Sequence, residues 1–157
     1  MRPQQAASAS PQQNVSGMTR DEIVAFVERR HELYDDFDAA GLAADYADDV
    51  VVESPMAGVH HGRAAAEQAL RATFNAFLDL KMTTDALLVD GALVAHFVTT
   101  EGTHVTDLMG APTSGKAFRL PVVFLYELKD RRVVREQRIY DFTGLLMQVG
   151  LIKAKPI

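Results

Sequence analysis

The spacing of apolar side chains changes along the chain from a helical period to a strand period. Between residues 23 and 37, apolar residues recur three and four apart, which predicts one face of an amphipathic helix. Thr19 and Glu22 form the S/T-x-x-E capping box that favours a helix start, and Gly41 is expected to end the helix. A short helical turn over 42–47, a strand around 50–53 and a second helix over 63–79 are predicted next.

Beyond residue 80 the apolar residues alternate with a period of two or form solid runs, which is typical of strands. Strands are predicted over 82–90, 93–103, 118–128 and 133–140, with Asp90-Gly91 as a hairpin turn, and a short helix over 143–151. Helices first and a meander of strands last favour an α+β fold with a curved, mostly antiparallel sheet. Residues 93–98 and 120–128 are apolar on both faces, so we expect helices on one side and a second copy of the chain, as a homodimer, on the other.

Composition narrows the class of protein. The first 17 of the 157 residues are mostly Gln, Ala, Ser and Pro, which predicts a disordered tail followed by a single domain over 18–157. Cysteine is absent, which excludes a disulfide framework and a thiol nucleophile and favours a cytoplasmic protein. The net charge of −5 argues against a nucleic-acid partner, and no apolar run reaches the length of about 18 residues that a membrane span needs.

Three stretches of this domain carry a family resemblance. Residues 47–55, Ala-Asp-Asp-Val-Val-Val-Glu-Ser-Pro, with His61-Gly-Arg63 before a helix, resemble the nuclear transport factor two-like superfamily. Residues 102–118 and 141–150 resemble the corresponding segments of SnoaL-type polyketide cyclases. The resemblance implies a cone-shaped α+β barrel, in which a curved sheet and N-terminal helices enclose a pocket for a flat, apolar, ring-bearing ligand.

The resemblance also shows that the cyclase residues are replaced in this chain. SnoaL-type cyclases close a ring by aldol chemistry with an Asp on the last long strand, and that position is Arg138 here. The neighbouring His of the family falls at Glu136, and a Gln and a His of the preceding strand fall at Val122 and Phe124. Arginine cannot act as a base at neutral pH, so the usual cyclase constellation is not expected.

The catalytic residues of the related ketosteroid isomerases are also replaced in this chain. Their base Asp falls at Ser54, which we interpret as a turn residue before Pro55, and their second, protonated Asp falls near Val123. The two best-known reactions of the superfamily are therefore not expected in their usual form.

Glu136 and Arg138 are the main candidates for chemistry. They lie two apart on a predicted strand and so share a face, together with Val134 and Tyr140. Across the hairpin this face meets a wall predicted to bind substrate: Val122, Phe124 and Tyr126. A carboxylate and a guanidinium in such a wall must be paired. We predict that Glu136 is a pocket acid/base tuned by Arg138; the alternative is an ion pair at a dimer interface or on a wet sheet face.

Three further residues are candidates with ordinary alternatives. Asp141 is predicted to cap the last helix, or to act as a second base if a bulge turns it inward. Tyr34 and His96 are predicted to donate hydrogen bonds to a substrate, although both could be core residues with routine partners. The neighbouring His60 and His61 point apart on an extended segment, so no metal is predicted, and no nucleotide-binding motif implies a cofactor.

Together these patterns predict a SnoaL-like pocket enzyme without a cofactor. It would carry out acid/base chemistry, such as cyclisation, isomerisation or hydration, on a hydrophobic, carbonyl-bearing small molecule. The alternative is a non-catalytic ligand-binding or scaffold protein of the same fold, which the replacement of the cyclase Asp by Arg138 favours. Epoxide hydrolysis is a third and weaker hypothesis, because the Asp-Arg-Asp set of such hydrolases cannot be located.

Overall fold

The structure, a computed structural model, describes residues 14–155. In chain order its elements are α1 (Arg20–Asp35), α2 (Ala39–Ala44), β1 (Tyr46–Ser54), β2 (Gly58–His61), α3 (Arg63–Ala76), β3 (Lys81–Asp90), β4 (Leu93–Thr103), β5 (Ala117–Lys129), β6 (Arg132–Ile139) and α4 (Phe142–Gln148). The predicted α+β class is confirmed, and the segment with His60 and His61 is the short strand β2 rather than a loop.

The strands form one curved sheet in the order β2-β1-β6-β5-β4-β3. All neighbours are antiparallel except β1 and β6, which run parallel, so the mostly antiparallel sheet is confirmed. The sheet stays open at β2 and β3 and does not close into a complete barrel. Side chains alternate along β4 and β5 between buried and more exposed, and the buried ones face the helices. The cavity described below lies on this inner side.

The first helix starts as predicted and ends earlier. The Thr19 hydroxyl accepts a hydrogen bond from the Glu22 N–H at 3.2 Å, and the Glu22 carboxylate accepts one from the Thr19 N–H at 2.8 Å. The helix ends at Asp35, because Phe37 adopts a left-handed conformation with φ of 54° that breaks the helical path. Gly41 is therefore not its terminus: it lies in α2, where its N–H donates to the Asp38 carboxylate at 2.8 Å.

A bulge corrects the predicted face of β6. Leu128 pairs with Val133, but Glu127 pairs with Arg135, so Val134 is an extra residue without a partner on β5. The bulge reverses the alternation, and Val133, not Val134, is buried on the same side as Glu136 and Arg138. Alternation alone could not reveal this change of parity.

Residues 14–17, which the sequence assigns to the tail, lie against the turn between β5 and β6. The Asp130 N–H donates to the Val15 carbonyl at 3.1 Å, and the Arg131 N–H donates to the Ser16 carbonyl at 2.7 Å. The remainder of the predicted tail lies outside the described residues. Within residues 14–155, no helix has the length and apolar character needed to cross a membrane.

Candidate functional site

A cavity lies between the inner face of the sheet and the helices. The volume open to the centre of a water-sized sphere is about 70 Å³, and all the space between the lining atoms, with the open mouth included, is about 570 Å³. Apolar side chains from several elements make up most of its wall: Phe77, Met82, Phe118, Leu120, Val122, Phe124 and Leu145. Cavities of this kind, apolar with a few polar groups, are where proteins bind small organic molecules.

Three polar side chains in the cavity wall have unused hydrogen-bonding capacity. Tyr34, Thr100 and Arg138 are each more than nine-tenths buried. The Tyr34 hydroxyl, Thr100 Oγ1 and Arg138 Nη2 have no hydrogen-bond partner within the part of the chain that the structure describes. A buried polar atom without a partner is costly, and most such atoms in folded proteins are satisfied. The three atoms are therefore available to polar groups that enter the cavity.

Tyr34 is held in the wall by other aromatic rings and stays protonated. Its ring centroid lies 5.7 Å from that of Phe74 and 5.5 Å from that of Phe124. Burial raises the pKa of its hydroxyl to about 12, although the nearby Arg138 guanidinium opposes the shift. At neutral pH, Tyr34 is thus a neutral hydrogen-bond donor.

A second tyrosine in the cavity is already engaged. The Tyr140 hydroxyl lies 3.1 Å from Ser54 Oγ and accepts a hydrogen bond from the Met56 N–H at 3.2 Å. Ser54 ends β1 and lines the cavity, so it is more than the turn residue predicted from the sequence. Tyr34 and Tyr140 differ in that only the first has a free hydroxyl.

Glu136 lies behind Arg138 and does not line the cavity. One of its oxygens accepts a hydrogen bond from Arg138 Nε at 2.8 Å. The other accepts one from the Tyr46 hydroxyl and lies 3.5 Å from Arg30 Nη2. The carboxylate is completely buried. Burial by itself raises the pKa of Glu136, but Arg138, Arg30 and the Tyr46 hydrogen bond outweigh it and hold the pKa below its ordinary value.

Arg30 anchors this network from α1. Its Nη1 donates to the Leu42 carbonyl at 2.9 Å and to Asp45 at 3.1 Å. The guanidinium also lies over the rings of Tyr46, 5.1 Å away, and Tyr126, 5.3 Å away. These contacts fix Arg30, and through Glu136 they fix the orientation of Arg138.

The structure brings together some of the predicted site residues and not others. Val122 and Phe124 line the cavity as the predicted apolar wall would, and so do Tyr34 and Arg138. Tyr126 does not line it: its ring stacks on Phe124 with centroids 6.1 Å apart and contributes to the core behind the wall.

His96 faces inward but lies under α1, outside the cavity lining. Its Nε2 is 2.9 Å from Thr84 Oγ1, and its ring centroid is 5.9 Å from that of His31. Burial, together with His31 and Arg30, lowers the pKa of His96 to about 4, so the imidazole is neutral. In this position His96 has the routine partner that the alternative interpretation expected.

Asp141 is exposed and caps α4, as its position before the helix predicts. Its carboxylate accepts a hydrogen bond from the Gly144 N–H at 2.8 Å. A side chain at residue 144 would collide with this carboxylate, so glycine there makes the close cap possible. The side chain does not reach the cavity.

Sequence reasoning missed three residues of the site: Thr100, Arg30 and Tyr46. Thr100 carried a signal, since strict alternation from Val94 places it on the inner face of β4. Arg30 also carried one, since it interrupts the apolar stripe of α1 at a core position. Tyr46 carried none, because the predicted strand began after it.

No group of three or more His, Asp or Glu side chains within 14–155 is arranged to hold an ion. The unpartnered polar groups among the described residues of the cavity are two hydroxyls and a guanidinium, which can donate hydrogen bonds to an oxygen-bearing organic ligand.

The family model of the SnoaL-like polyketide cyclases matches residues 25–149. The chain belongs to this family.

Solved structures agree with the fold. TsrD from Streptomyces laurentii is 23% identical, with a TM-score of 0.75 over 86% of this chain and 99% of that one. IdmH from Streptomyces antibioticus is 28% identical, with a TM-score of 0.61 over 75% and 93%. TerC, co-crystallised with polyporic acid, is 18% identical, with a TM-score of 0.66 over 80% and 96%. None of the curated proteins compared with this sequence matches it.

Proposed function

We propose that this chain binds a hydrophobic, carbonyl-bearing small molecule and stabilises negative charge on its oxygen, as cofactor-free cyclisation or isomerisation through an enolate requires. The observation that carries the proposal is the set of three unpartnered polar atoms, on Tyr34, Thr100 and Arg138, in an apolar cavity. Preorganised donors aimed at developing charge are usually the largest single contribution to such catalysis. TerC, a relative in fold, was co-crystallised with an organic acid, polyporic acid, which is in keeping with this ligand class.

Arg138 and Tyr34 have different roles toward the ligand oxygen. Arg138 supplies a permanent positive charge whose free Nη2 is available to the ligand. Tyr34, with its raised pKa, supplies a neutral O–H that strengthens its hydrogen bond as the ligand oxygen becomes negative. Glu136 acts as the positioning residue that holds Arg138, in place of the acid/base role predicted for it.

The source of the proton sets a condition on the substrate. Within the described residues that line the cavity there is no Asp, Glu, His or Lys, the side chains that most often remove a proton. We therefore propose a substrate whose own C–H is acidic, such as a compound with several carbonyl groups, which loses its proton to water or to another part of itself.

The test uses 2-tetralone, a ketone whose α C–H next to the aromatic ring is acidic because the enolate is conjugated with that ring. We expect the protein to accelerate deuterium uptake at the α-carbon of 2-tetralone, followed by NMR in D₂O. Tyr34→Phe and Arg138→Gln should each slow this exchange by about a hundredfold, the usual cost of losing one oxyanion donor. Exchange that is equally fast in both variants would contradict the proposal.

Tyr140→Phe is the matched control for Tyr34→Phe. It removes a hydroxyl from the same cavity, but one that is already paired with Ser54 and Met56. We expect the exchange rate to stay within about threefold of the unaltered protein, because no free donor is lost.

Non-catalytic ligand binding is the second candidate function. The absence of a carboxylate or imidazole from the described lining favours it, since a binding protein needs no base. Binding of 2-tetralone without any acceleration of exchange would support this candidate over the enzyme.

We also propose that the chain forms a homodimer through the face of the sheet turned away from the helices. Phe97, Val123 and Ile139 lie in register across β4, β5 and β6 on that face. Ile139 is 49% exposed, and Phe97 and Val123 are half-buried. A row of apolar side chains across three strands is the kind of surface that a second copy covers.

A further inference from the structure

The charged side chains behind the cavity wall form one cluster. The guanidinium groups of Arg29, Arg30 and Arg138 interact with only two carboxylates, those of Asp45 and Glu136. Arg29 is half exposed and its charge is shared with water, whereas Arg30, Arg138 and Glu136 are buried. The buried part of the cluster therefore holds two guanidinium groups and two carboxylates, since Asp45 is only 14% exposed.

Of the five charged residues in this cluster, Arg138 alone lines the cavity, so the cavity meets the cation and not its carboxylate. Both oxygens of Glu136 are occupied, one by Arg138 Nε and the other by Tyr46 and Arg30. Arg138 thus contacts its carboxylate through Nε, and its Nη2 at the far end of the guanidinium has no partner in the described chain. A buried guanidinium with an N–H that has no acceptor is costly, and an anionic acceptor offsets this cost best.

We propose that the cavity takes its ligand as an oxyanion. The ligand would be a hydrophobic molecule whose carboxylate or enolate oxygen pairs with Arg138 Nη2 and accepts a hydrogen bond from Tyr34, while Thr100, four residues further along the sheet, is left for another polar group of the ligand. The inference rests on the proposed function, because it uses the same cavity, and it goes further by fixing the charge of the bound ligand. A neutral molecule of the same shape would offer Arg138 Nη2 only an uncharged acceptor, which makes a weaker hydrogen bond to a guanidinium than an oxyanion does.

Matched pairs of probes test the charge directly. The first pair is 2-naphthoate and its neutral isostere 2-naphthamide; the second is 2-hydroxy-1,4-naphthoquinone, an enolate at neutral pH, and its neutral 2-methoxy ether. Dissociation constants are measured by calorimetry on the full chain. In at least one pair we expect the anion to bind about tenfold tighter than its neutral partner, as a charge-assisted hydrogen bond to a buried guanidinium implies. A preference in the first pair alone indicates a carboxylate, and one in the second pair alone indicates an enolate.

Two variants test whether Arg138 causes the preference for the anion. Arg138→Met should abolish this preference, because it should weaken binding of the anionic probe about tenfold and change binding of the neutral probe by less than about threefold. Arg119→Met, at an exposed arginine paired with Glu101, should keep it. If Arg138→Met does not fold, the comparison of the probes on the unaltered protein still decides whether the cavity prefers an anion.

Two outcomes would overturn the inference. Equal or tighter binding of the neutral probe in both pairs, or an anion preference that survives in Arg138→Met, means that the cavity binds ligands but does not select their charge. In that case the proposed function stands. Failure of all four probes to bind to folded protein counts against the ligand cavity itself, and so against both.

Discussion

At the scale of single residues, Glu136 fixes the position of Arg138 in the site. Its carboxylate is enclosed by two guanidinium groups and a phenol. Removing the charge of Glu136 would leave the buried guanidinium groups of Arg30 and Arg138 without the carboxylate that they share. We expect Glu136→Gln to lower the free energy of unfolding by about 3 kcal/mol at neutral pH, as breaking a buried ion pair does. Chemical denaturation measures the loss. Glu101→Gln, at an exposed ion pair, should change stability by less than about 1 kcal/mol.

The same residue predicts a dependence of stability on pH. The pKa of Glu136 in the folded chain lies below the ordinary value of 4.5, so its stabilising contribution is complete above that pH. The contribution is lost as the pH falls through the folded-state pKa, where the carboxylate takes up a proton. The stability difference between the unaltered chain and Glu136→Gln should therefore be constant near neutral pH and narrow in acid. A difference that stays constant into strong acid would show that Glu136 is not held as an ionised carboxylate.

At the scale of elements, the short helix α4 depends on its cap. Asp141 satisfies the Gly144 N–H, and no other side chain caps this terminus in the described chain. We expect Asp141→Ala to cost about 1 kcal/mol, or roughly 3 °C in Tm, measured by thermal unfolding. Asp141→Asn, which can still accept the hydrogen bond, should recover most of the loss. If Asp141→Asn slows the deuterium exchange of 2-tetralone while its Tm is unchanged, Asp141 takes part in the reaction, as the alternative prediction has it.

At the scale of the whole molecule, the proposed dimer predicts how the chain sediments. Val123 lies in the middle of the apolar row on the outer face, between Phe97 and Ile139. We expect the unaltered chain to sediment as a dimer and Val123→Glu as a monomer, because a buried, unpaired carboxylate would be costly at the interface. Leu78→Glu, at an exposed residue beyond α3, should leave the dimer intact. A monomer for the unaltered chain at micromolar concentration would contradict the proposal.

The local elements were largely predictable because their signals lie in neighbouring residues. The Thr19–Glu22 capping box, the Asp90-Gly91 turn and the cap at Asp141 involve residues no more than three apart. The bounds of β4 were predicted without error, since alternation runs uninterrupted from Leu93 to Thr103. The end of α1 was not, because the chain breaks at Phe37 through a backbone conformation that no side-chain pattern announces.

The site was only half predictable, because its geometry depends on long-range packing. Alternation places Glu136 and Arg138 on one face, as the structure has them, but cannot say which of the two reaches the cavity. That depends on Arg30, more than a hundred residues earlier, whose guanidinium draws Glu136 away from the cavity and leaves Arg138 exposed to it. The bulge at Val134 likewise arises from how β6 pairs with β5.

The sequence by itself determined the α+β class, the mostly antiparallel sheet, the family resemblance and the shared face of Glu136 and Arg138, since these follow from periodicity, turn chemistry and motif. Only the tertiary structure decided the role that each charge can have. Two cations and a carboxylate from α1 and β6 meet in the core, and their pairing is fixed by burial and distance. Which polar atoms remain without a partner, and so face a ligand, is a property of that packing and not of any local pattern.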